Sequence, residues 1–155
     1  MRTKDVTVKG QSYQLRKMDP VAGSFVYIRM MGALLDNRKE TSAELEVESK
    51  DLPKLTDEDR ARMLVNAAIM RGLSLEDTNY AFDAALKCVS STVNVKGSTA
   101  LLPLKSGDGR WTDPDVADDA SLIHVLAVES LVFSLLPFFT ESGNTSAAEN
   151  PAPTS

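Results

Sequence analysis

From Leu122 to Phe139 the chain is almost continuously apolar, interrupted only by His124, Glu129, Ser130, Ser134 and Pro137. A helix that is apolar on every side must be buried in its own domain or against a partner. The rest of the chain therefore has to supply cover for this segment or leave part of it for another protein. A membrane span needs about 18 apolar residues with few or no charges, and the interruptions oppose that reading, so no membrane partner is expected. The pattern predicts a helix from about Ala120 to Leu136, capped by Asp118 or Asp119. Pro137 is expected to end it, because an interior proline removes one hydrogen bond and its ring meets the preceding turn. Beyond it, residues 140–155 hold little that could be buried, and from Asn144 onward no large apolar residue at all. That end is expected to be a disordered tail.

With 155 residues, 43% hydrophobic and 25% charged, the chain has the composition of one soluble globular domain. The formal charge of −5 opposes long-range attraction to a phosphate backbone, so nucleic acid is not an expected partner. One cysteine, Cys88, cannot form an internal disulfide, which fits a reducing cytoplasm. Met1 to Gly10 carries basic residues without an apolar run behind them, unlike a secretory signal.

Val6, Val8, Tyr13 and Leu15 alternate with polar residues on either side of Gly10-Gln11-Ser12, the pattern of a β-hairpin with one apolar face. Asp19 and Pro20 suit the N-cap and first position of a helix. In that helix Val21, Phe25, Ile28 and Leu35 form a stripe, widened by Val26, Met30, Met31 and Leu34. This helix is expected to pack on the hairpin, since two strands alone are marginal in water. Residues 36–54 are strongly acidic and predict a flexible exposed segment, in which Glu44-Leu45-Glu46-Val47-Glu48 alternates but is read as loop.

Thr56 with Asp59 and Ser74 with Asp77 have the spacing of N-caps for two further helices, separated at Gly72. The first is expected to bury Leu64, Ala67 and Ala68, with Met63, Ile69 and Met70 beside them. The second is expected to bury Leu75, Phe82, Leu86 and Val89. So short a turn predicts an antiparallel pair. Val93, Val95 and the run Leu101-Leu102-Pro103-Leu104 predict either a second short hairpin or an ordered loop, with Pro103 confining any strand to an edge. The fold class is thus α+β, mainly α: one domain over residues 1–139, with an N-terminal hairpin on a small helical body, then the tail.

No catalytic constellation can be assembled. His124 has only Ser121, Ala127 and Val128 at helical spacing, and general acid–base work needs a second group in reach. Cys88 reads as a small buried hydrophobe. Asp57, Glu58 and Asp59 suit a helix N-terminus. Asp113, Asp115, Asp118 and Asp119 lack the glycine and terminal glutamate of a calcium loop. Gly107-Asp108-Gly109 is a turn without the lysine and hydroxyl of a phosphate loop. Catalytic, cofactor and metal sites are therefore not expected.

The order of features resembles the tail assembly chaperones of long-tailed bacteriophages. The resemblance rests on Val8-x-Gly10-x-x-Tyr13-x-Leu15, the Asp19-Pro20 helix start, the acidic middle, and the closing Leu135-Leu136-Pro137-Phe138-Phe139. It implies a non-catalytic protein of the host-cell cytoplasm that binds and solubilises the tape-measure protein while the tail is built. It also implies a link to the tail tube protein, absence from the finished particle, and in some members a longer form made by frameshifting. The alternative is a structural subunit or connector retained in a viral tail or other assembly.

For either role the partner is a larger helical protein or a second copy of the chain. One stripe of the closing helix suffices for a core, so Val128, Leu131, Leu135, Phe138 and Phe139 are left as a partner surface. Met30 and Met31 join them, because methionine adapts to varied apolar ligands.

Overall fold

Two Lys-Gly turns organise the β part of the molecule. In a computed structural model that describes residues 2–36 and 56–149, Lys9 and Gly10 have φ of 51° and 78°, and Lys96 and Gly97 have φ of 51° and 80°. Two successive positive φ values match the twist of tight antiparallel hairpins, and glycine at the second position accepts one without strain. The first turn joins β1 (Thr3–Val8) to β2 (Gln11–Arg16), and the second joins β3 (Val89–Val95) to β4 (Ser98–Pro103). The two hairpins form one antiparallel sheet, β1-β2-β3-β4, through the β2–β3 pairs Tyr13↔Ser91 and Leu15↔Val89. Of the two alternatives that the sequence left open here, hairpin or ordered loop, the structure shows the hairpin, with Pro103 on an edge strand.

Five helices complete the described residues: α1 (Pro20–Asp36), α2 (Asp57–Arg71), α3 (Leu75–Leu86), α4 (Pro114–Ala117) and α5 (Ala120–Glu149). The α+β, mainly α class is the observed one. The caps are those the spacing predicts. Asp19 Oδ2 accepts from the N–H groups of Val21 and Ala22 at 3.1 Å, Thr56 Oγ1 from Asp59 at 3.1 Å, and Ser74 Oγ from Asp77 at 3.0 Å. Asp119 caps α5 by accepting from Leu122 N–H at 3.1 Å.

The core is built around α5. Leu122, Leu126 and Phe133 cover the sheet face made by Tyr13, Leu15, Val89 and Leu104. Val128, Leu131, Val132 and Leu135 meet Val26 and Met30 of α1, Val65 of α2 and Ala85 of α3. The expectation that α1 covers the hairpin is thus corrected: α5 fills that face, and α1 packs on α2, α3 and α5. The expected antiparallel pairing of α2 with α3 is also replaced, since each leans chiefly on α5.

The inward faces overlap the predicted ones only in part: Val26, Met30 and Leu34 of α1, Ala68 of α2 and Leu86 of α3 are buried as expected. On α1, Val26, Met30, Ala33 and Leu34 are buried, whereas Val21, Ile28 and Leu35 are 78%, 66% and 62% exposed. On α2 the buried residues are Ala61, Val65 and Ala68, and Met70 is exposed; on α3, Ala81, Ala85 and Leu86 are buried and Leu75 is exposed. Small residues let these helices approach α5 closely, so size misled the assignment. Residues 37–55, including the predicted loop around Leu45 and Val47, and 150–155 lie outside the described residues.

Candidate functional site

Three polar interruptions of α5 hydrogen-bond to other parts of the fold. Glu129 Oε2 accepts from Arg62 Nη2 of α2 at 2.8 Å. Ser130 Oγ, fully buried, donates to the Ala85 carbonyl at the end of α3 at 2.9 Å. Ser134 Oγ accepts from the Met18 N–H at 2.9 Å, which fixes the chain where it enters α1.

Pro137 was expected to end α5, and instead the helix runs through it. A residue with an N–H at 137 would donate to the Phe133 carbonyl four residues back; proline cannot. Lys17 supplies the missing donor: its Nζ lies 2.5 Å from the Phe133 carbonyl oxygen and 4.0 Å from the centre of the Phe133 ring. Beyond the proline, Phe138 stacks on Tyr27 of α1 with ring centres 4.8 Å apart, and Phe139 meets the same ring edge-on at 5.5 Å.

This arrangement redistributes the seven residues predicted to bind a partner. Met30 (1% exposed), Val128 (5%), Leu131 (0%) and Leu135 (0%) are interior side chains. They fill the space between α5 and the three other long helices, and so form no free surface. Met31, Phe138 and Phe139 are half-buried against the same core. The second apolar surface of α5 is therefore consumed within the domain: the sheet takes one side and the helices the other. By length and composition the segment Ala120–Thr140 could cross a bilayer, but here it is the core helix of the fold.

Among the described residues, α1 carries a row of exposed apolar side chains. Val21, Ile28 and Leu35 recur every seven residues along its outer side, with Phe25 half-buried between the first two and Gly32 exposed between the last two. Phe25 rests edge-on against Tyr80 of α3, ring centres 4.8 Å apart, and Arg29 stands over the Phe25 ring at 5.0 Å. The sequence marked four of these residues as a stripe; what it did not reveal was that the stripe faces outward.

The residues weighed for chemistry have structural surroundings. His124 is exposed and meets the Phe82 ring edge-on at 5.8 Å. Cys88 is buried, donates weakly to the Ala84 carbonyl at 3.5 Å, and burial pushes its thiol pKa up, away from the reactive thiolate. Asp113 caps α4 by accepting from Asp115 N–H at 2.9 Å. Asp119 accepts from Lys9 Nζ at 2.8 Å as well as capping α5. Among the described residues, no three His, Cys, Asp or Glu side chains converge to hold a metal ion.

Glu58 bonds to Lys4 of β1 and, at 3.2 Å, to Arg62, and the Lys4 hydrogen bond lowers its carboxyl pKa below the ordinary glutamate value. Beside this group an open cavity of about 500 Å³ runs along α5, floored by Val132, Phe133, Leu136 and Pro137 and rimmed by Lys4, Lys17 and Glu58. The rim charges are already engaged with one another or with the backbone.

Compared with known proteins, the chain matches no family model and has no significant similarity to any curated protein or solved structure.

Proposed function

We propose that this protein is a non-catalytic assembly chaperone of the phage-tail type, which shields an apolar helical segment of the tape-measure protein in the host cytoplasm. The observation that carries the reading is the outer stripe of α1. An apolar row at heptad spacing on a helix is the surface that a second amphipathic helix recognises. Exposed apolar side chains aligned on one helix face are a mark of interaction sites, unlike ones scattered singly. The formal charge of −5 supports the same role, since an acidic surface keeps a complex with an apolar client soluble.

The contact moves accordingly from α5 to α1, with Val21, Phe25, Ile28 and Leu35 as its apolar residues and Arg29 as a charged contact at its margin. The test is co-expression with a phage tape-measure protein, taken from the same genome as this chain. The double variant Val21→Ser, Ile28→Ser should fold as before, because surface changes of this kind stay within about 0.5 kcal/mol, and should lose co-purification. A folded variant that still captures the client overturns the assignment of the site. Recovery of the protein from purified particles favours a retained structural subunit instead.

A further inference from the structure

The outer edge of β4 presents backbone groups that have no partner among the described residues, and the pairing identifies them. Val95 and Ser98 close a two-residue turn and so form a hydrogen-bonded pair, and farther along the Leu104 N–H donates to the Val89 carbonyl at 3.0 Å. Ser98, Ala100 and Leu102 therefore direct their N–H and C=O groups inward to β3. Thr99, Leu101 and Pro103 direct theirs outward, where Pro103 loses nothing by lacking an N–H.

The Pro103 end of this edge is closed. Thr112 Oγ1 donates to the Pro103 carbonyl at 2.6 Å, and Lys105 pairs with Trp111 as an antiparallel bridge. Among the described residues, what stays open is the window Ser98–Leu102, centred on Ala100. It contains no ionisable residue, and Leu101 and Leu102 are 48% and 41% exposed. The opposite edge, β1, carries Lys4 and Asp5, and charged side chains are the usual means of blocking strand addition.

We propose that this window is a self-association site, at which two copies pair antiparallel about a two-fold axis at Ala100 and join their sheets into one of eight strands. In that register Thr99 stands opposite Leu101 of the second copy and exchanges both hydrogen bonds with it, and the symmetry repeats the exchange. Every outward N–H and C=O of Thr99 and Leu101 is then satisfied. Gly97 falls opposite Pro103 of the second copy, so a residue without a side chain passes the closed end beside Thr112. Leu101 gains Thr99 of the second copy as its cross-strand neighbour and Leu102 gains Ser98. No like charges meet across the axis. The occupant is a second copy because the outward groups of Thr99 and Leu101 satisfy one another in this register, Gly97 clears the closed Pro103 end, and the window carries no charge to repel itself.

The test is sedimentation equilibrium of the full chain over a wide concentration range, with a dimer expected. Leu101→Pro removes an outward N–H without touching the β3–β4 ladder, and Leu101→Lys places charge at the axis; both should give monomer. Ala100→Cys sits in a close non-hydrogen-bonded pair across the axis and should form a disulfide-linked dimer on mild oxidation, whereas Thr99→Cys should not. A monomeric wild-type chain overturns the proposal. So does a dimer that survives both Leu101 variants, or crosslinking that is equal at positions 99 and 100.

Discussion

Replacing Lys17 with methionine keeps the length and apolar stem of the side chain and removes its ammonium group. In the structure that group is the donor to the Phe133 carbonyl, which Pro137 leaves without its helical partner. Hydrogen bonds to charged groups contribute about 1.5–3 kcal/mol, and the contact over the Phe133 ring adds about 0.5–1 kcal/mol at a partly exposed site. Because the ammonium is only half-buried, the low end applies, and Lys17→Met should destabilise the domain by about 2 kcal/mol. The decisive measurement is a double-mutant cycle with Pro137→Ala, read by urea denaturation. Alanine at 137 restores an N–H four residues after Phe133, so the carbonyl no longer depends on Lys17. Lys17→Met should then cost about 1 kcal/mol less than it does beside Pro137. Any other contact of the lysine is common to both backgrounds and cancels in the comparison. An equal cost in both backgrounds would refute the argument that Lys17 serves the carbonyl that the proline orphans.

Leu131→Ala and Leu135→Ala should each cost about 2–5 kcal/mol in the same denaturation assay, since both side chains are fully buried; costs below 1 kcal/mol would return these residues to the surface. Glu58 has a lowered carboxyl pKa in the folded chain, chiefly through its hydrogen bond from Lys4. Its contribution is therefore present above the ordinary glutamate range and lost as pH falls through the lowered value. Glu58→Gln should reduce stability at neutral pH and flatten the acid limb of the stability curve, and an unchanged acid limb would show that the Lys4 contact is not formed in solution.

The elements legible in the sequence are those with local causes. Asp19, Thr56 and Ser74 were visible as caps because a cap acts within three residues, and the β-hairpins because alternation and a tight turn act within ten. The inward face of α1 was not legible, because that helix is apolar on two sides. Val21, Phe25, Ile28 and Leu35 fit the helical period as well as Val26, Met30 and Leu34 do, and only the position of α5 selects between them. The same reason hid the core faces of α2 and α3. Ala61, Ala81 and Ala85 are buried because α5 approaches closely, while the larger Met70 and Leu75 are left outside. Pro137 was misread for want of a long-range fact: a lysine 120 residues earlier satisfies the group that would otherwise make the proline a terminator.

These long-range contacts also limit what the closing helix can do. A chaperone could shield its client with α5 only by releasing α5 from the domain, and the polar residues along that helix oppose release. Opening it would expose Ser130 and the Ala85 carbonyl, part Glu129 from Arg62, and free both Met18 N–H and the Phe133 carbonyl. Because water would take over the exposed groups, each such hydrogen bond is a net loss of about 0.5–1.5 kcal/mol, more for the two that involve a charge, and it adds to the apolar burial that α5 would give up. The polar interruptions that keep the Leu122–Phe139 stretch from reading as a membrane span are thus the same residues that commit it to this core. On the proposed reading a client helix is met elsewhere, on the outer stripe of α1, where Val21, Ile28 and Leu35 are exposed while Phe25 rests on Tyr80. A client that covered this stripe would leave every contact of α5 intact.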